Sequence, residues 1–245
     1  MARIGKKGIL SGLVGNLVFR NLDGQQVVQS RPATIRQTKA TKESASEFRQ
    51  CSRWAKQVRM GLSSLLMEET ESYMYRRWTG AMYQALVSNT HLPKGQRTPF
   101  NCAMKDLEGF DFNIHSLFKD YFFSEIVVAL NAEGTVMIKV SEFDPKSQMV
   151  FPEKVMNADL VIYVYSTNLE HNQPLTDASF SLPITLNTSL VPETLWNTPT
   201  LPSGHWVIVV AKLFYYSVNP FTERKYHNSK KMSPAMVLFS GVCEY

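Results

Sequence analysis

The sequence predicts an α+β chain: a basic N-terminal arm, a β-hairpin and a helical hairpin, followed by an antiparallel β-sandwich of Ig-like or jelly-roll-like type. Three observations carry that expectation. Gly5, Gly8, Gly12 and Gly15 recur at spacings of three, four and three, and lead into a short Asp-Gly hairpin. Apolar residues then repeat at helical spacing between about 44 and 88. From about residue 110 the period becomes two, with runs of β-branched and aromatic residues. The expected division is residues 1–35 (arm and hairpin), 36–105 (linker and helical pair) and 106–245 (sandwich).

Each element has its own reason. Glycine at every turn of the first fifteen residues disfavours a helix by ~1 kcal/mol per residue, so an extended or looped arm is expected there. Leu17–Arg20 and Gln26–Gln29 flank Asp23-Gly24, a strong hairpin signal, and Arg31-Pro32 closes the unit. An isolated hairpin is marginal in water, so this one requires another strand to pair with, in its own chain or in a neighbour. Polar residues 33–43 read as a linker. A helix then starts at a Ser44…Glu47 capping box, or one turn earlier at Thr41. Phe48, Cys51, Ala55, Val58, Leu62 and Leu65 form its inward stripe, and Arg49, Arg53, Lys56 and Arg59 lie off it. A second helix is expected over 69–88, with Met74, Trp78, Ala81, Met82 and Ala85 inward and Glu68, Glu69 and Glu71 at its start.

Five or six strands follow. Ile126–Leu130 and Val136–Val140 bracket a turn at 131–134. Asp159–Ser166 is apolar on both sides and reads as central. Phe180, Leu182 and Ile184 alternate with Ser179, Ser181 and Pro183, and the proline assigns that strand to an edge. Trp206–Val218 is the longest apolar run, and Ala235–Val242 closes the set. No helix among them suits a parallel crossover, so the sheets are expected to be antiparallel.

Composition narrows the function classes. With 245 residues, 44% hydrophobic, the chain can build a substantial core and is neither disordered nor low-complexity. Its three cysteines (Cys51, Cys102, Cys243) make no disulfide framework, no apolar run is long enough to span a bilayer, and the glycine-broken N-terminus makes a poor signal peptide. These grounds point to the cytoplasm. The net charge of +5 is unevenly spread. Residues 1–60 hold twelve Lys/Arg against three acids, a local +9, so the remainder carries −4.

No reaction is written in the motifs. Neither GxGxxG nor GxxxxGK[ST] is present, nor is GxSxG, and no cofactor is expected. His91, His115, His171, His205 and His227 are far apart, and none has a second His or Cys within five residues, so no metal site is expected. Ser203-Gly204-His205 reads as a turn before a strand. No catalytic residue and no small-molecule substrate are assigned, and an enzyme would need titratable groups brought together by the fold.

The leading expectation is therefore a non-enzymatic structural protein that self-associates, as a homo-oligomer or within a larger assembly, through its N-terminal arm and hairpin. Gly12, Gly15, Val18, Val27, Val28 and Arg31 are its candidate interface. The alternative is nucleic-acid binding through Arg36, Lys39, Lys42, Arg49, Arg53, Lys56 and Arg59, whose charges suit phosphates.

The glycine steps Gly8, Gly12 and Gly15-Asn16, then Val18, Asp23-Gly24, Arg31-Pro32, a Thr-rich linker and Phe48-Arg49 resemble an uncharacterised family of Bacteroidota proteins. The resemblance covers roughly the first 60 residues. Members often carry Arg where this chain has Gln29. The family has no assigned activity, so the resemblance implies no catalytic residue. It implies that the N-terminus belongs to the mature protein and that arm and hairpin form a recurrent module.

Overall fold

The turn at Gly15-Asn16 organises the N-terminus. Gly15 takes a positive φ of 56°, which a two-residue turn between antiparallel strands requires. In the computed structural model, β1 (Arg3–Ile4), β2 (Leu10–Val14), β3 (Leu17–Leu22) and β4 (Gln25–Ser30) form one sheet in sequential order. The structure describes residues 2–5, 8–22, 25–31, 37–67, 69–169, 176–219 and 222–244. The expected Asp23-Gly24 turn and Pro32 lie outside the described residues, as do Lys6, Lys7, Arg36, Glu68, Glu170 and His171.

The sequence leaves alternatives open at two points, and this sheet takes one of each: the glycine-rich arm is extended, supplying strands β1 and β2, and the hairpin pairs with β2 of its own chain. The reason is local: Gly8 (φ 71°) and Gly15 reverse the chain around a segment whose Leu10, Leu13 and Val14 favour a strand. The chain separates into two compact units, Met1–Lys42 and Glu43–Tyr245.

Helix α1 (Lys39–Gly61) begins earlier than the Ser44 box. Thr38 is the effective cap: its Oγ1 accepts the Thr41 N–H at 3.2 Å, and its carbonyl accepts the Lys42 N–H at 3.0 Å. Ser44 is thus inside the helix, and residues 39–43 are helical rather than linker. Cys51, Ala55 and Val58 are buried as the stripe requires, and so are Leu62 and Leu65 beyond the helix end, but Phe48 is exposed, in a T-shaped contact with Tyr83. A short helix α2 (Ser63–Leu66) ends at Met67, which is left-handed (φ 51°). The second long helix, α3 (Met74–Ser88), therefore starts five residues later than the acidic cluster suggests. Met74, Trp78, Met82 and Ala85 are buried, and the Trp78 indole N–H donates to the Ala55 carbonyl at 3.1 Å, tying α3 to α1.

Eight strands follow among the described residues. β5 (Ile126–Leu130), β6 (Val136–Val140) and β9 (Thr194–Asn197) make a three-stranded antiparallel sheet. β7 (Asn157–Thr167), β8 (Thr176–Thr185), β10 (Trp206–Asn219), β11 (Thr222–Tyr226) and β12 (Ala235–Val242) make a five-stranded one. A four-residue helix, α4 (Pro145–Gln148), lies between β6 and β7. β10 pairs with β7 along one side and with β12 and then β11 along the other. β8 pairs only with β7, with Pro183 opposite Asp159 at the sheet edge, where a missing N–H costs nothing. The strands missed in the sequence are β9 and β11, one of four residues and the other the polar stretch TERKY.

Two apolar clusters sandwich β7 and β10. On one side Tyr163, Tyr165, Trp206, Ile208 and Val210 pack with residues of α1 and α3. On the other, Leu160, Ile162, Val164, Val207 and Val209 pack with Val136, Ile138 and Val140 of the three-stranded sheet. A strand buried on both faces has no polar side to present, which is why these two read as unbroken apolar runs. Gly61 sets the approach of α1 to the sheet, since a Cβ there would lie 2.1 Å from the Tyr165 ring.

Candidate functional site

Two surfaces hold the residues singled out from the sequence. The first is the N-terminal sheet. Cross-strand partners share a face, so Ile4, Leu10, Gly12, Val14, Leu17, Phe19, Val28 and Ser30 lie on one side together with Asn21 and Gln26. Among the described residues that side carries no charge. The other carries Leu13, Val18, Leu22 and Val27 among Arg3, Arg20 and polar side chains. The six candidate interface residues thus divide. Gly12 and Val28 occupy the uncharged face and Val18 and Val27 the other. Gly15 makes the turn, and the Arg31 N–H donates to the Asn16 carbonyl at 2.7 Å beyond β4. None of the described residues between 2 and 42 is buried. Ile4, Val14, Leu17 and Val28 are 74%, 51%, 46% and 49% exposed.

The second surface is a groove of about 460 Å³ between α1 and α3. Small residues line its floor, with Ser52 and Ala55 from α1 and Thr79 and Gly80 from α3. Phe48 stands at one end. Lys56, Arg59, Tyr75 and Arg76 gather toward the other, because α1 and α3 run antiparallel about the Ala55–Trp78 contact. Arg76 lies 5.2 Å from the Tyr73 ring centre and 5.6 Å from that of Tyr75, and its Nε donates to the Tyr75 hydroxyl at 2.9 Å. Among the described residues no acidic side chain lines the groove. Of the cations expected to contact phosphates, Lys56 and Arg59 reach this groove, Arg49 and Arg53 are exposed on α1, and Lys39 and Lys42 are exposed in its first turn. Sequence reasoning missed the groove because its two walls, on α1 and on α3, are separate stretches of sequence that only helix packing brings together.

Several ion pairs of the second unit are buried or half-buried. Lys212, in the middle of β10, is fully buried; its Nζ donates to the Leu65 and Leu66 carbonyls at 3.0 and 3.2 Å and to Glu69 Oε2 at 2.7 Å. Burial pulls its ammonium below the ordinary lysine value, while Glu69 opposes that pull. The Lys212 charge thereby caps the carboxyl end of α2. Glu69 and Glu71 do not open a helix as expected; Glu69 also accepts from the Ser233 hydroxyl at 3.2 Å, and Glu71 pairs with Arg77 at 2.7 Å. Glu47 is buried with Arg97 3.7 Å away and accepts the Gly95 N–H at 3.2 Å. Asp159 is buried beside Arg224, and burial is the chief cause that raises its carboxyl.

Groups able to do redox or metal chemistry stay dispersed. All three cysteines are buried and free, with the Cys51 thiol pushed up to about 12 by burial and by nearby Glu47. No cluster of three or more His, Cys, Asp or Glu able to hold a metal ion occurs among the described residues. Gly204 (φ 76°) makes the turn before β10, and His205 Nδ1 lies 2.9 Å from the Ser166 hydroxyl. No helix among the described residues is long and apolar enough to cross a membrane. No family model, curated protein or solved structure matches the chain.

Proposed function

We propose that this is a non-enzymatic assembly protein that self-associates through its N-terminal sheet. The supporting observation is a four-stranded sheet without a buried residue among those described, one face of which is largely apolar and, among the described residues, uncharged. A sheet gains stability by burying an apolar face, and large exposed apolar surfaces mark contact sites. Two copies of this chain suit that face because it brings no like charges together, whereas two copies of the opposite face would oppose Arg3 and Arg20. At strand spacings of ~4.8 Å and ~3.3 Å per residue the face measures roughly 15 by 20 Å, about 300 Å² per copy against the ~800 Å² per partner of a standard interface, so further surface of the chain must join the contact. The same proposal takes the sheets of the second unit as an Ig-like or jelly-roll-like β-sandwich. It also counts the chain in the Bacteroidota family that residues 1–60 resemble and assigns it to the cytoplasm.

Light scattering on the full chain at tens of micromolar tests the reading. An oligomer is expected, and Leu17→Asp with Val28→Asp should reduce it to the monomer while the circular dichroism of the second unit persists. A wild-type monomer, or an oligomer indifferent to both substitutions, overturns it.

A second reading, nucleic-acid binding, is favoured by one specific observation. Arg49, Arg53 and Lys56 stand at helical spacing, exposed and without an acidic partner among the described residues. Retention of single- or double-stranded oligonucleotides on filters should then fall steeply with salt. No retention at low salt removes this reading.

A further inference from the structure

Gly80 occupies the seventh position of a fifteen-residue helix. Glycine there costs ~1 kcal/mol relative to alanine, and a helix interior offers it no compensating conformational freedom. Gly61 shows what a required helical glycine looks like, since the Tyr165 ring fills the space where its Cβ would be. Around Gly80, which is exposed, the opposite holds: beyond its chain neighbours and its own helical backbone, a Cβ would meet no atom of the described residues within 4 Å. Among the described residues no side chain fills the room that Gly80 leaves, and that room is part of the groove between α1 and α3.

The remaining lining says what fits there. Ser52, Ala55 and Thr79 keep the rest of the floor shallow, and Phe48 presents an exposed ring at one end. Phe48 to Arg59 spans eleven residues of helix, roughly 16 Å at 1.5 Å per residue. Toward the Arg59 end stand Lys56, Arg59 and Arg76, none of which has an acidic partner among the described residues. A bare inorganic anion would waste the apolar floor, and a neutral hydrocarbon would leave three cations unanswered. The volume of about 460 Å³ lies in the range of pockets for small organic ligands, roughly 300–1,000 Å³.

We infer that the groove between α1 and α3 is a binding site for an amphipathic organic anion. Its flat or extended apolar body lies over Gly80 and Ala55 toward Phe48. Its carboxylate, sulfonate or phosphate meets Lys56, Arg59 and Arg76. The groove's lining belongs entirely to the second unit, so the proposed binding does not require self-association through the N-terminal sheet.

The aryl sulfonate 8-anilinonaphthalene-1-sulfonate is a direct probe, titrated into the folded full-length chain and read by fluorescence. Saturable one-to-one binding is expected, with displacement by decanoate or by adenosine monophosphate, which distinguishes an acyl from a nucleotide source of the same chemistry. Arg59→Glu with Arg76→Glu should weaken the probe at least tenfold. Gly80→Leu should abolish binding by filling the floor while raising the melting temperature, because a good helix former replaces glycine. That rise shows that the variant folds. Gly80→Ala should raise the melting temperature as well and weaken the probe less than Gly80→Leu does. Absence of saturable binding overturns the inference, as does probe affinity unchanged in Gly80→Leu. Displacement by oligothymidylate alone, with neither small anion competing, also overturns it and assigns the surface to nucleic acid.

Discussion

Two antiparallel sheets in one chain show opposite solutions to the same problem. In the five-stranded sheet, Val207 and Val209 of β10 are 0% exposed, and helices cover one face while a second sheet covers the other. In the N-terminal sheet, Val28 is 49% exposed although it too is a valine paired within an antiparallel ladder. Backbone pairing is complete enough in both to define strands, so pairing does not set their difference. What differs is whether apolar side chains find partners. The second unit closes its own core, and the first leaves an apolar face for something else, which is the basis for reading it as an assembly surface.

Substitutions made in parallel in the two sheets can break that comparison. The largest effect should come from Trp206→Ala in β10, where a fully buried indole also donates to the Ser240 hydroxyl at 3.0 Å. A loss of ~4 kcal/mol is expected in urea unfolding. A loss under ~1 kcal/mol would mean that β10 is not the central strand of a closed core.

Next come the charged residues. Lys212→Met should cost ~3 kcal/mol, because it strands Glu69 and the last carbonyls of α2. Arg20→Met in the exposed β3 should stay within ~0.5 kcal/mol. Lys212→Met combined with Glu69→Gln should recover part of the loss. No recovery would show that the lysine acts through packing and not through its charge.

The paired valines sharpen the contrast further. Val209→Ala should destabilise by ~2 kcal/mol. Val28→Ala should leave the unfolding of the second unit unchanged and instead lower the oligomer fraction. Equal effects on stability would erase the distinction between the sheets.

The smallest effect is electrostatic. Burial holds the His205 imidazole below its ordinary value of 6.5. On acidification the unfolded chain takes up that proton first, so stability should decline as pH falls through 6.5 and level off once the folded imidazole also protonates. His205→Gln should flatten that decline, and an unchanged slope would assign it to other groups.

Much of the second unit was legible before folding was considered. Ile126–Leu130, Val136–Val140 and Ala235–Val242 coincide with β5, β6 and β12, and Pro183 placed its strand at an edge. The short β9 and the polar β11 left no periodic trace, since four or five residues on a sheet margin need not alternate. Whether the glycine-rich arm was extended or looped stayed open because glycine penalises strand and helix alike, and only the structure showed that Leu10–Val14 folds back onto Leu17–Leu22 through the turn at Gly15. Of the site, the basic side chains of α1 were visible but not the wall they face.

The sequence by itself determined periodicity, charge asymmetry and turn chemistry, because each is a property of residues within a few positions of one another. Tertiary structure alone decided that Lys212 meets Glu69, 143 residues away, and that Gly80 faces open space while Gly61 faces Tyr165. Those outcomes depend on which surfaces pack together, and the free energy of packing belongs to pairs of distant segments rather than to either segment alone.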